Sequence, residues 1–152
     1  MTGNIMVDEK DYKILEELKE NSRQTTTELS KKLDIPRTTI HYRIKKMKDE
    51  GLIKKFTVIP NYDQLDKGTT AYILISFDPN EGVTQRETAS KISQMDRVHE
   101  LHIISGEWDI MVKVRGKTAE EIGDIVVDQL REIDGVGHST TCVSFESVKE
   151  EI

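Results

Sequence analysis

A chain of 152 residues, 36% hydrophobic and 33% charged, is ordinary for a globular protein and long enough for one domain or two small ones. It carries no run of about 18 apolar residues to cross a membrane and no charged-then-apolar signal stretch at Met1, so it is expected to be cytoplasmic. The net charge of −6 argues against a nucleic-acid partner until it is divided: residues 1–59 hold 13 Lys+Arg against 10 Asp+Glu, while residues from Pro60 onward hold 9 against 18.

The first predicted element is a helix that Asp8 can cap, with Ile14, Leu15 and Leu18 at helical spacing and Asn21-Ser22 closing it. Thr25 followed by Glu28 reads as a capping box opening a short second helix, with Leu29 and Leu33 four apart on its buried side. Asp34-Ile35-Pro36 makes the turn, because the residue before proline is pushed out of the helical region while proline fits a first helical turn.

The third helix is expected from about Pro36 to Glu50, ended by Gly51, with Ile40, Ile44 and Met47 inward. At about 100° per residue, Thr38, His41, Tyr42 and Lys45 project outward, flanked by Arg37 and Lys48 on one side and by Thr39, Arg43 and Lys46 on the other. Nine bases against three acids lie between Lys31 and Lys55. Such a face suits a helix in a major groove: lysine and arginine neutralise phosphates, while threonine, histidine and arginine reach base edges or the thymine methyl. A charged surface helix alone is commonly just a solvated face. Here a short helix, a tight turn and a basic helix in succession make a helix-turn-helix, and Leu52 to Ile59, β-branched and carrying Lys54 and Lys55, reads as the strand of a wing. The candidate DNA-contacting residues are Thr25, Arg37, Thr38, Thr39, His41, Tyr42, Arg43, Lys45, Lys46 and Lys54.

Residues 60–68, polar and bounded by Pro60 and Gly68, are expected to be a linker, dividing a winged helix-turn-helix domain (1–59) from a second domain (69–152). That second domain reads strand (71–77), helix (about 84–95), strands (98–104 and 108–114) around the hairpin turn Ser105-Gly106-Glu107, helix and strand (136–148). Its second helix opens at Thr118 with Glu121 as a further capping box, presents Ile122, Ile125, Val126, Leu130 and Ile133 on one face, and ends at Gly135. The order is βαββαβ, an antiparallel sheet with helices on one face, making the whole an α+β chain. The other face must meet water or a partner, and Tyr72, Leu74, Met111 and Val143 or Cys142 are expected to make it partly apolar. A homodimer burying that face would also set two reading helices about 34–36 Å apart.

The stretches Thr26-Thr27-Glu28-Leu29-Ser30-Lys31-Lys32-Leu33, Thr38-Thr39-Ile40-His41-Tyr42-Arg43-Ile44-Lys45-Lys46-Met47 and Glu50-Gly51-Leu52-Ile53, with the turn Gly106-Glu107-Trp108-Asp109, resemble the Lrp/AsnC (leucine-responsive, or feast/famine) regulators over nearly the whole chain. The resemblance implies a ferredoxin-like sensing and oligomerisation domain through which chains form dimers and dimers gather into tetramers or octamers, with an amino-acid effector bound between dimers and no other cofactor. It assigns the effector pocket to Gly106, Glu107, Trp108 and Asp109, with Ser139 and Thr141 contributed by the last strand of a neighbouring chain. Backbone N–H groups near Gly106 would take a carboxylate, and Asp109 or Glu107 an ammonium group. The chain departs from the family in Pro36, where a serine-like cap is usual, and in Trp108, where tyrosine is commoner.

Other readings have less to stand on. His99 and His102 would point to opposite faces of a strand, a poor metal pair, and Cys142, the single cysteine, reads as strand filling. Glu107 and Asp109 have no nucleophile beside them, so an enzyme is not expected. An RNA-binding sheet of the same element order would need aromatic residues on its central strands and a less acidic domain. The remaining alternative keeps the fold and removes the effector: an architectural DNA-binding protein whose second domain only assembles.

Overall fold

The computed structural model describes residues 6–150, so the chain start at Met1 lies outside the described residues. The chain divides into two compact units, residues 1–59 and 60–152.

The first unit is three helices, α1 (Glu9–Glu20), α2 (Thr26–Leu33) and α3 (Arg37–Asp49). Local chemistry sets each boundary. Asp8 accepts the N–H groups of Lys10 and Asp11, and the Asp11 carboxylate returns to the Asp8 N–H, a reciprocal cap on α1. Thr25 and Glu28 do the same for α2. Asp34 then takes a left-handed conformation (φ 53°), and the Ser30 hydroxyl donates to the Ile35 carbonyl at 2.7 Å, closing the turn into α3. Pro36 supplies no side-chain cap. Ile14, Leu29 and Ile40 are fully buried and meet Leu18, Ile35, Met47 and Ile53 in one core.

Gly51, at φ 78°, ends α3, and the Ile53 N–H returns to the Met47 carbonyl at 2.9 Å. The wing strand expected over residues 52–59 does not form: no strand is present in this unit among the described residues. A strand is made by its partner's backbone groups, and β-branched residues alone cannot supply them. Lys54 to Ile59 are instead exposed coil, Phe56 and Val58 among them.

The second unit carries β1 (Thr69–Phe77), α4 (Gln85–Ser93), β2 (Val98–Ile103), β3 (Ile110–Gly116), α5 (Ala119–Asp128) and β4 (Val136–Val143), the sheet running β2-β3-β1-β4 and antiparallel throughout. Ala71, Ile73 and Ile75 of β1 lie opposite Val114, Val112 and Ile110 of β3, all buried with Ala89, Ile92, Ile122 and Val126 of the helices. Thr84 and Glu87 form a capping box on α4. The one expected at α5 is half made: Thr118 accepts the Glu121 N–H, but the Glu121 carboxylate turns to the Lys117 N–H at 2.5 Å and to Arg97. α5 ends at Asp128, before Leu130, and a short 3-10 turn carries the chain on.

Strand alternation gives the sheet a face without helices, holding Tyr72, Leu74, Met111, Lys113, Arg115, Thr140 and Cys142. Of the two residues left open by sequence, Cys142 stands on that face; Val143, opposite Ala71, belongs to the other. A bulge between Val98 and Glu100 overturns the expectation that His99 and His102 point apart. His99 meets the Tyr62 ring edge-on at 5.2 Å, beneath Arg115, and His102 lies opposite Met111 on the same face.

Candidate nucleic-acid interface and ligand turn

The outward side of α3 is built as its periodicity requires. Arg37, Thr38, His41, Tyr42, Lys45 and Lys46 are exposed, and Thr39 is half-buried. Thr25, at the start of α2, and Lys54, past Gly51, are also exposed. The side chains that turn away, Ile40 and Met47, are anchored in the core, so the face is held rigidly by the other side of its own helix. Lys46 has Glu50 one turn on at 4.0 Å, and Lys32 of α2 pairs with Glu17 of α1.

Arg43 is placed differently from its neighbours. Its Nη1 donates to Asp8 Oδ1 and to Asp11 Oδ1, both at 2.8 Å, and the side chain is only 21% exposed. Hydrogen bonds to Asp11 and then Asp8 raise its already high pKa, while Asp8 is held below the usual carboxylate range by the Asp11 backbone N–H and by Arg43. Arg43 was expected to reach the duplex from the flank of α3; its guanidinium is committed to the start of α1. Sequence reasoning missed this brace, although an aspartate at the cap and another three residues on was a visible sign of a built helix start.

In the second unit, the turn between β2 and β3 is longer than the three residues expected, since β3 begins at Ile110 and the Ile104 N–H closes the loop on the Asp109 carbonyl at 2.9 Å. Gly106 sits at φ 132°, where an L side chain is strained. Glu107 is exposed. The Asp109 carboxylate accepts the Phe77 N–H at 2.8 Å, and Gln85 Nε2 donates to the Asp109 carbonyl at 3.2 Å. Phe77 lies where the β1–β4 register shifts, so Asp109 satisfies an N–H at an irregularity in the ladder.

Trp108 stacks on His138 of β4, with ring centroids 5.9 Å apart and planes 20° from parallel. That contact brings the turn to the start of β4, where Ser139 is the next residue. Ser139 and Thr141 lie opposite Ile75 and Ile73, on the helix-covered side at the sheet edge. His138 and Gln85 were not singled out by sequence; their roles depend on contacts 30 and 24 residues away, respectively. Among the described residues, no three His, Cys, Asp or Glu side chains are grouped to hold a metal ion, and no helix is long and apolar enough to cross a membrane.

Two family models match this chain. Residues 7–54 match the family of winged helix-turn-helix DNA-binding modules, and residues 70–152 match the Lrp/AsnC ligand binding domain. The chain belongs to the Lrp/AsnC family of transcriptional regulators. It is 57% identical to an HTH-type transcriptional regulator of Pyrococcus horikoshii over 147 residues, covering 97% of this chain and 98% of that one. The structure of Escherichia coli AsnC aligns with a TM-score of 0.86 at 23% identity, over 97% of each chain. A Neisseria meningitidis transcriptional regulator in complex with L-Met aligns with a TM-score of 0.87 at 22% identity, over 96% of this chain and 94% of that one. This Lrp/AsnC chain is thus a DNA-binding transcription regulator with a ligand-binding domain, and its family is one of regulators rather than enzymes.

Proposed function

We propose that α3 lies in a duplex groove and reads it through Arg37, Thr38, Thr39, His41, Tyr42, Lys45 and Lys46, with Thr25 and Lys54 as further contacts. The observation that carries this reading is the α3 face: its exposed side chains are basic, hydroxylated or aromatic, while its inward ones are locked in the core. Lys45 and Lys46 supply sequence-independent attraction to phosphates, and Thr38, Thr39 and His41 supply the base-edge contacts. Arg43 braces the helix from behind. The test is titration of the full chain with the DNA upstream of its own gene across a range of salt. Lys45→Ala should lower the slope of log affinity against log salt by about 0.9. No affinity at low ionic strength would remove the DNA reading.

The second unit, in the same proposal, binds an amino acid at Gly106, Glu107, Trp108 and Asp109, with Ser139 and Thr141 supplied by a neighbouring copy. Support comes from the left-handed Gly106 backbone beside two acids, and from the L-Met complex of the similar Neisseria regulator. Dimers form through the helix-free face, where Tyr72, Leu74, Met111 and Cys142 offer apolar surface, and dimers gather into tetramers or octamers. A cytoplasmic location goes with this role.

One observation favours the architectural alternative without an effector: Asp109 and Trp108 are already engaged within the chain, by the Phe77 N–H and His138. Calorimetry against the twenty amino acids separates the two, a flat response to all of them favouring assembly alone.

A further inference from the structure

A helix in a major groove tells base pairs apart by a short set of pairings. Arginine or lysine reads guanine O6 and N7, asparagine or glutamine reads adenine, an acid reads cytosine N4, and a methyl group packs on the thymine methyl. α3 holds no asparagine or glutamine, and its one acid, Asp49, is its last residue. Adenine and cytosine therefore have no matched reader on this helix. Guanine is left to its arginines and lysines.

Of the two arginines of α3, Arg43 is withdrawn, because its Nη1 donates to Asp8 Oδ1 and Asp11 Oδ1, both at 2.8 Å. Arg37 is exposed, and among the described residues it makes no hydrogen bond or ion pair. Recognition helices meet base edges with their N-terminal residues, and Arg37 is the first residue of α3. Lys45, the first lysine of the helix, stands eight residues further on, about 12 Å along the axis. Its ammonium is also a point charge, without the planar fork that spans two acceptors.

The root of Arg37 is fixed by the turn before it. Asp34 takes its left-handed conformation, the Ser30 hydroxyl donates to the Ile35 carbonyl at 2.7 Å, and the Ile35 side chain is buried in the core. Pro36 follows at φ −53°, and its carbonyl accepts the Ile40 N–H at 3.1 Å. A long side chain rooted in such a corner has less freedom to lose on docking than one carried by a mobile loop.

We propose that Arg37 is the specificity-determining residue of this regulator, its guanidinium spanning guanine O6 and N7 at one G·C pair for each α3 bound. Thr38 and Thr39 offer methyl groups to thymine and His41 a single ring N–H, contacts that lack the geometric selectivity of a two-pronged pair. The inference rests on α3 lying in a duplex groove. It adds which base pair that helix discriminates and which side chain does so.

The experiment is selection of bound duplexes from a randomised pool by the full chain and by its Arg37→Ala, Arg37→Lys and Arg43→Ala variants, followed by titration of a recovered site. The wild type should enrich one G·C pair per helix bound, and replacing that pair by A·T should cost on the order of tenfold in affinity. Arg37→Ala should lose the preference at that pair alone and be indifferent to the replacement. Arg37→Lys, which keeps the charge, should retain the wild-type salt dependence while losing most of the discrimination. Arg43→Ala should keep the guanine preference. A pool from Arg37→Ala that still enriches the same G·C pair overturns the assignment, as does loss of the preference in Arg43→Ala. So does an Arg37→Ala variant that weakens every site equally and lowers the slope of log affinity against log salt by about 0.9, the mark of a phosphate contact. Each of these leaves the groove-bound helix standing, whereas no enrichment and no affinity for the pool at low ionic strength removes the helix from the groove and the guanine contact with it.

Discussion

Replacing Asp11 and Arg43 with alanine, singly and together, measures what positions the reading helix. Arg43 Nη1 lies 2.8 Å from Asp11 Oδ1, with the two side chains 21% and 12% exposed. A hydrogen bond to a charged group contributes about 1.5–3 kcal/mol, and partial exposure at both ends sets the expected Asp11–Arg43 coupling near the bottom of that range, about 1.5 kcal/mol. The double-mutant cycle also separates this coupling from the capping bond that Asp11 makes to the Asp8 N–H, because that loss is common to both arms. Hydrogen exchange of the α1 and α3 amides in the full chain reports the local stability. DNA titration across salt reports the interface. Arg43→Ala should weaken binding through a looser helix while leaving the salt slope unchanged, whereas Lys45→Ala should lower that slope by about 0.9. A coupling below about 0.3 kcal/mol, within ordinary additivity, would refute the brace. So would a slope that falls in Arg43→Ala as it does in Lys45→Ala, since the guanidinium would then be leaving Asp8 and Asp11 for a phosphate.

Ile40→Ala, at a fully buried position beneath the reading face, should cost about 2–5 kcal/mol by chemical denaturation and abolish DNA binding before any contact residue is touched. Asp109→Ala removes the acceptor of the Phe77 N–H and should expose that amide to rapid exchange with a loss of about 1–3 kcal/mol; Asp109→Asn, which can still accept, should be milder, and equal protection in both variants would argue against the bridge. Glu150 is held below the usual carboxylate range by Lys113 and then Arg115. Its contribution is therefore present above the ordinary glutamate pKa of 4.5 and is lost as pH falls through the depressed value, so an NMR titration should show residues 144–150 releasing below pH 4.5. His99 is shifted the other way from a paired histidine: burial, and then Arg115, lower its pKa from 6.5. It should remain neutral below pH 6.5, and its C2 proton titrating at or above that value would contradict its packing against Tyr62.

Much of the fold was legible because its signals are short-range. Asp8, Thr25 with Glu28, and Gly51 mark helix ends within a few residues of the groups they satisfy, and the stripe Ile40, Ile44, Met47 announces which side of α3 is buried. The alternation in β1 and β3 likewise separates Ile73 and Val112 from Tyr72 and Lys113 before any pairing is known. Where local preference needed a distant partner, reading failed. Residues 52–59 have strand-forming side chains and, among the described residues, no strand to pair with, and Glu121 found the Lys117 N–H and Arg97 in place of its reciprocal cap. The two histidines of β2 were placed on opposite faces by simple alternation, which one bulge cancels.

The basic face of α3, the division of charge between the halves and the βαββαβ order follow from residues read a few positions at a time, because periodicity and capping are local physics. Which cations remain available is decided by the tertiary structure alone. In a helical projection Arg43 flanks the outward face as Lys46 does, but Arg43 finds Asp8, 35 residues away, and is drawn to the inner side of its helix. Lys113 and Arg115 meet Glu150 in the same way, 37 and 35 residues on. A charge settles on whichever opposite charge folding brings within hydrogen-bond reach, and that distance is a property of the packed chain.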